Sequence, residues 1–217
     1  MVKIKYVVAA IFAVTALIFS WSPASADDYV GTNGPDSIDT VNSSVTPHDN
    51  VLAKAGNDQV TTHNGSDSVV AGHGNDYVLV GKGDDGVGPA FEGDSVFGPI
   101  TGQAGNDTLI LGPGEDVATG NEGSDKLNGN PGSDTLQGNW GSDKLNGGKG
   151  DDYLTPGPSS DVVNGGDNND TVLVSDDDAK DTINCGDGAD LVLIQAEAQD
   201  PKDTINSDCE DVVLAIK

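Results

Sequence analysis

The residues of this chain best suited to chemistry are carboxylates set at a fixed interval. Asp58, Asp67, Asp76, Asp85 and Asp94 follow one another at nine-residue steps. Asp107, Asp116, Asp125, Asp134, Asp143, Asp152, Asp161 and Asp170 do the same without a break, and Asp36, Asp181, Asp190 and Asp203 keep the local pattern at less regular distances. Aspartate can serve as an acid, a base, a nucleophile or a ligand to a hard cation. A catalytic carboxylate pair is normally singular, with one separation and one cleft; these carboxylates recur identically, which favours ion binding. Calcium takes about 6–8 oxygens from carboxylates and carbonyls in flexible geometry, whereas magnesium demands a near-octahedral shell and keeps its waters. Zinc calls for thiolate and imidazole clusters, which the sequence does not offer. The candidate metal ligands are Asp58, Asp67, Asp76, Asp85, Asp107, Asp116, Asp125, Asp134, Asp143, Asp152 and Asp170, serving several Ca2+ ions.

Each aspartate is sixth in a nine-residue unit. Gly120, Gly129, Gly138 and Gly147 open successive units, a second glycine is fourth, and Leu127, Leu136, Leu145 and Leu154 are eighth. The last three residues suit a very short strand with the eighth side chain inward. The first six suit a tight turn in which glycine accepts positive φ. Such a short period marks a solenoid. Two units make one coil, so each unit stacks on the next but one. Roughly eight coils at a strand spacing of about 4.8 Å give a rod about 40 Å long. Stacking sets Asp125 beside Asp143 on one edge and Asp134 beside Asp152 on the other, a like-charge arrangement that a bound cation relieves. The pattern weakens at Ala118, at Ser159 and at Glu92, which stands where glycine is expected. Residues 27–30 read as a short leader, 40–52 as a loop, 98–101 as an insertion, and Ser207 to Lys217 as an end cap.

This pattern resembles the RTX, or hemolysin-type, calcium-binding nonapeptide GGxGxDxUx. The resemblance covers most of residues 27–217. It implies an all-β fold, a parallel β-roll (a right-handed β-solenoid) of nonapeptide repeats. It also implies that each Ca2+ sits between stacked turns, held by aspartate side chains and turn carbonyls.

Lys3 and Lys5, the apolar run Val7 to Phe19 and the small residues Ala24-Ser25-Ala26 have the form of a signal peptide over residues 1–26. The run is short for a membrane span, which needs about 20 apolar residues; a retained N-terminal anchor is the alternative. The expected location is secreted, extracellular or cell-surface. A net charge of −26 argues against nucleic acid and anionic membranes as partners, since phosphate recognition wants a basic face. Cys185 and Cys209 permit a disulfide in an exported chain, with two free thiols the alternative. Cys185 opens a unit, Ser207 should stack near it, and Cys209 lies two residues on. With no CxxC motif, such a bond is structural. The inward line is thin and the charge repels itself, so folding is expected to require calcium, as in small metal-dependent domains. His48, His63 and His73 read as solvated turn residues and Trp140 as an exposed one. The function expected is non-enzymatic calcium binding by an exported β-roll that folds on binding. The alternative is a structural cell-surface, matrix or adhesion protein in which calcium only stabilises the rod, with an extracellular polysaccharide or matrix as partner.

Overall fold

In the computed structural model the described residues are 4–6, 27–40, 49–63, 65, 67–74, 76–81, 85, 100–175, 177–195 and 202–214. They contain no helix; every element is a strand, and every strand pairing is parallel. Glycine in every unit makes a long helix costly, while the alternating run after each aspartate suits a strand buried on one face.

The strands form two sheets, of 11 and nine strands. Units alternate between them, so each strand pairs with the strand two units away. Lys126–Pro131 lies beside Lys144–Lys149 in one sheet, with Leu127 opposite Leu145. Thr135–Trp140 lies beside Val117–Glu122 in the other, with Leu136 opposite Ala118. The all-β β-roll expected from the repeat is thus the observed fold. The eight intervals of the nine-stranded sheet span about 40 Å at about 4.8 Å each.

The strands run further than a three-residue element. Val117–Glu122, Lys126–Pro131, Thr135–Trp140 and Lys144–Lys149 each have six residues and carry through the eighth and ninth places into the first three of the next unit. Two places per unit therefore point inward. The eighth supplies Val60, Val78, Leu109, Leu127, Leu136, Leu145, Leu154 and Val163 to the core. The first supplies Ala53, Ala71, Val80, Leu111, Cys185 and Ile194 where it is not glycine. Period-2 alternation demands this once the strand is longer than three residues.

Three segments set aside on sequence belong to the sheets. Asp27–Val30, read as a leader, pairs with Asp49–Leu52, which falls inside the stretch read as a loop. Asp211–Leu214, in the stretch read as an end cap, pairs with Leu191–Gln195 as a further rung. Conversely, the ladder passes over Asp94, which lies outside the described residues. Tyr77–Leu79 pairs directly with Thr108–Ile110, and Ser68–His73 with Ile100–Ala104. The irregular unit around Glu92 lies outside the described residues, and of the stretch 98–101 read as an insertion, Ile100 and Thr101 belong to the sheet. Of the segment read as a signal peptide, only Ile4–Tyr6 is described, parallel to Asp28–Val30; its apolar run and cleavage site lie outside the described residues.

Candidate metal centre

The aspartates do not project from the rod. The sixth side chain turns into the coil, and Asp58, Asp67, Asp76, Asp85, Asp107, Asp116, Asp125, Asp134, Asp143, Asp152 and Asp170 are all buried. Stacking then dictates a partner. The backbone N–H of each aspartate donates to Oδ1 of the equivalent aspartate one coil on. Along one edge the series runs Asp36 to Asp58, Asp76, Asp107, Asp125, Asp143, Asp161, Asp181 and Asp203. Along the other it runs Asp49 to Asp67, Asp85, Asp116, Asp134, Asp152, Asp170, Asp190 and Glu210. The bonds span 2.6–3.0 Å, the range of charge-assisted contacts. Each edge is thus an unbroken ladder in which one carboxylate oxygen replaces the turn's missing backbone acceptor.

The other oxygen fares differently. Oδ2 of Asp58, Asp76, Asp107, Asp125, Asp134, Asp143, Asp152, Asp161, Asp170 and Asp190 is buried and accepts no hydrogen bond. A buried anionic oxygen with no donor is expensive, and burial is the main force moving these groups. It pushes Asp107 and Asp152 up to about 7, Asp161 to about 8, and Asp58, Asp134, Asp143 and Asp170 to about 6. The ladder bond opposes the shift, and neighbouring acidic groups add to it, as Asp134 and Asp170 do around Asp152.

The turns bring further oxygens to the same place. At Gly129 the absent Cβ would lie 2.2 Å from Asp134 Oδ2 and 2.5 Å from the Gly147 carbonyl one coil on. At Gly138 the corresponding oxygens are Asp143 Oδ2 and the Pro156 carbonyl, each 2.4 Å away. Carboxylate and carbonyl thus both close on the glycine, an approach that a Cβ would block. Among the described residues no three acidic, histidine or cysteine side chains converge. A cation held here must therefore draw on backbone carbonyls as well as carboxylates. That donor set is hard, all-oxygen and flexible in number, and it fits calcium.

With that geometry in view, the RTX calcium-binding nonapeptide repeat model matches the chain in four copies, over residues 52–87, 100–118, 119–154 and 137–172. The chain belongs to the RTX calcium-binding nonapeptide repeat family. No curated protein matches it. The matched RTX repeats stop short of both ends of the ladders, where the structure adds two carboxylates that sequence reading passed over. Asp49 stands nine residues before Asp58 with Val51 two places on, a legible signal masked by Pro47 where the fourth glycine is expected. Glu210 takes the sixth place of the last rung, its Oε2 accepting the Asp190 N–H at 3.0 Å. Its turn is two residues short, and the longer side chain makes up the reach.

Cys185 and Cys209 are joined in a disulfide, with Cα atoms 5.1 Å apart. Cys185 is fully buried in the core. The bond clips the short last turn to the strand Thr182–Asp187 beneath it. Trp140 is exposed, and His63 Nε2 lies 2.9 Å from Asp39 Oδ1 at the surface.

Proposed function

We propose that this protein is an exported, non-enzymatic calcium-binding β-roll whose folding is coupled to binding several Ca2+ ions. The ions are bound by carboxylates of the two ladders, drawn from Asp58, Asp67, Asp76, Asp85, Asp107, Asp116, Asp125, Asp134, Asp143, Asp152 and Asp170, together with turn carbonyls. The observation that carries this reading is the row of buried Oδ2 atoms without a donor, exemplified by Asp134 and Asp152. An anion in that position needs a counter-charge before the fold is stable at neutral pH, and family membership makes calcium the natural one. The repetition of one carboxylate environment along the rod supports a binding role over catalysis. Export is supported by the signal-like N-terminus and by the Cys185–Cys209 bond, which persists in oxidising compartments.

Far-UV circular dichroism of the mature chain in EDTA and then in calcium tests this. A β spectrum that appears only with calcium is the expected result. A full β spectrum in EDTA at neutral pH, unaltered by calcium, would contradict it.

A further inference from the structure

The outward face of the nine-stranded sheet carries a column of asparagines. Asn128, Asn146, Asn164, Asn184 and Asn206 hold the ninth place of successive rungs. Asn146 Nδ2 donates to Asn128 Oδ1 at 2.6 Å, Asn164 Nδ2 donates to Asn146 Oδ1 at 2.6 Å, and Asn206 Nδ2 donates to Asn184 Oδ1. Three of these five are followed by glycine, in the pairs Asn128-Gly129, Asn146-Gly147 and Asn164-Gly165, whereas Asn184 precedes Cys185 and Asn206 precedes Ser207. An Asn-Gly pair has a reaction of its own. The glycine nitrogen attacks the asparagine Cγ. An N–Cγ bond forms, the Cγ–Nδ2 bond breaks, and ammonia leaves behind a cyclic imide. Water then opens the ring at either carbonyl, giving aspartate or isoaspartate. Glycine favours the step because it has no Cβ to hinder the approach and its backbone turns freely.

The rod restrains both reacting groups. The side-chain amides are tied to one another along their column. The first-place N–H is spent on the sheet: at Leu111 it donates to the Asn128 carbonyl at 2.8 Å, and Gly129, Gly147 and Gly165 hold the same place on the following strands. An N–H committed to the neighbouring strand cannot turn on the side chain before it. Unfolding removes both restraints. We infer that Asn128, Asn146 and Asn164 are modification sites that convert to aspartate and isoaspartate while the chain is unfolded and not while it is folded. A spell without calcium is then recorded irreversibly in the chain, since chemical change in the unfolded state makes the loss of fold permanent. This consequence rests on the calcium-coupled folding proposed above. The products rebuild the rod poorly. Isoaspartate adds a methylene to the main chain within a strand, which upsets the alternation that turns Leu127 and Gly129 inward. Ordinary aspartate at 146 brings an oxygen, in place of Nδ2, against Asn128 Oδ1. Either product adds negative charge to a chain already at −26.

Peptide mapping by mass spectrometry, on the full mature chain held at mildly alkaline pH in EDTA or in calcium, locates the conversion. Circular dichroism of the same samples reports the fold before and after calcium is restored. In EDTA, Asn128, Asn146 and Asn164 should gain the mass of an amide-to-acid change, with isoaspartate among the products, while Asn184 and Asn206 stay intact. In calcium all of them should stay intact. The β signal recovered on restoring calcium should fall as conversion rises. A variant carrying Asn128→Thr, Asn146→Thr and Asn164→Thr, with the residue that already holds the ninth place at Thr61, should recover in full after the same incubation. Intact Asn128, Asn146 and Asn164 in a chain that dichroism shows to be disordered would overturn the inference. So would conversion in the folded, calcium-loaded rod, or conversion at Asn184 equal to that at Asn164. If instead the chain keeps its β spectrum in EDTA, the calcium-coupled reading fails, and the same mapping in urea still decides whether the fold protects these asparagines.

Discussion

Replacing Asp152 with asparagine should stabilise the calcium-free protein and weaken the calcium-loaded one, and the opposite signs are the point. In the ladder Asp152 Oδ1 accepts the Asp134 N–H at 2.8 Å, a bond that an amide oxygen in the same place preserves. The substitution acts on the other atom. Asp152 Oδ2 is buried without a donor, and near it the Gly165 carbonyl approaches Gly147. Burial first, then the charges of Asp134, Asp170 and Asp151, raise this carboxyl from 3.8 to about 7. A rise of three units corresponds to about 4 kcal/mol against the ionised fold. Asp152 is 2 % exposed, so bulk water screens little of it. Set against a typical net stability of about 5–15 kcal/mol for a whole domain, one such group matters. The amide removes the charge and supplies a donor to the crowded oxygens. With calcium present the same change deletes a ligand, and the stabilisation from binding falls. Urea titrations followed by circular dichroism, in EDTA and in saturating calcium, read both arms. Asp152→Asn should raise the β content or the midpoint in EDTA and lower the midpoint in calcium. Equal destabilisation in both would show that the carboxylate serves only as a hydrogen-bond acceptor, and the reasoning would fail.

Acid should partly replace calcium. Asp58, Asp107, Asp134, Asp143, Asp152, Asp161 and Asp170 are raised by burial to between about 6 and about 8. Groups raised on folding favour the fold below their unfolded value near 4, and that contribution is lost as pH climbs through the folded values. In EDTA the β signal should therefore grow reversibly between about pH 8 and pH 5, and a flat profile would contradict the burial of these carboxylates. Reduction of Cys185–Cys209 opens a loop with a sequence separation of 24 and should lower stability by about 3–4 kcal/mol in the chain-entropy view. Hydrogen exchange should localise the loss to Asp211–Leu214 and its neighbours; uniform protection before and after reduction would count against a clip at the last turn.

Much of this fold is legible in one unit. The spacing of Gly129, Asp134 and Leu136 already says which residue turns, which is charged and which points inward. A solenoid repeats that cross-section, so an error in one unit does not spread to the others. Asp49 and Glu210 show the limit. Each sits in a turn without the usual glycines; the nine-residue step to Asp58 marks Asp49 in the sequence, whereas Glu210 is recognisable only by the rung it pairs with. Asp94 shows the converse, a residue in step along the sequence that the stack passes over.

The sequence by itself determined the period, the two-unit coil, the β-roll, the row of inward aliphatics and the hard, all-oxygen character of the metal site. These follow from local spacing and from the chemistry of aspartate and glycine. Only the tertiary structure decided how the two oxygens of each carboxylate divide, Oδ1 to the neighbouring N–H and, at most rungs, Oδ2 to buried space without a donor. It also decided that the first place of each unit faces inward, so that a second residue per unit joins the core. The physical reason is that both depend on a coil that is distant in sequence and about 4.8 Å away in space, where the backbone of one turn supplies what the next one lacks.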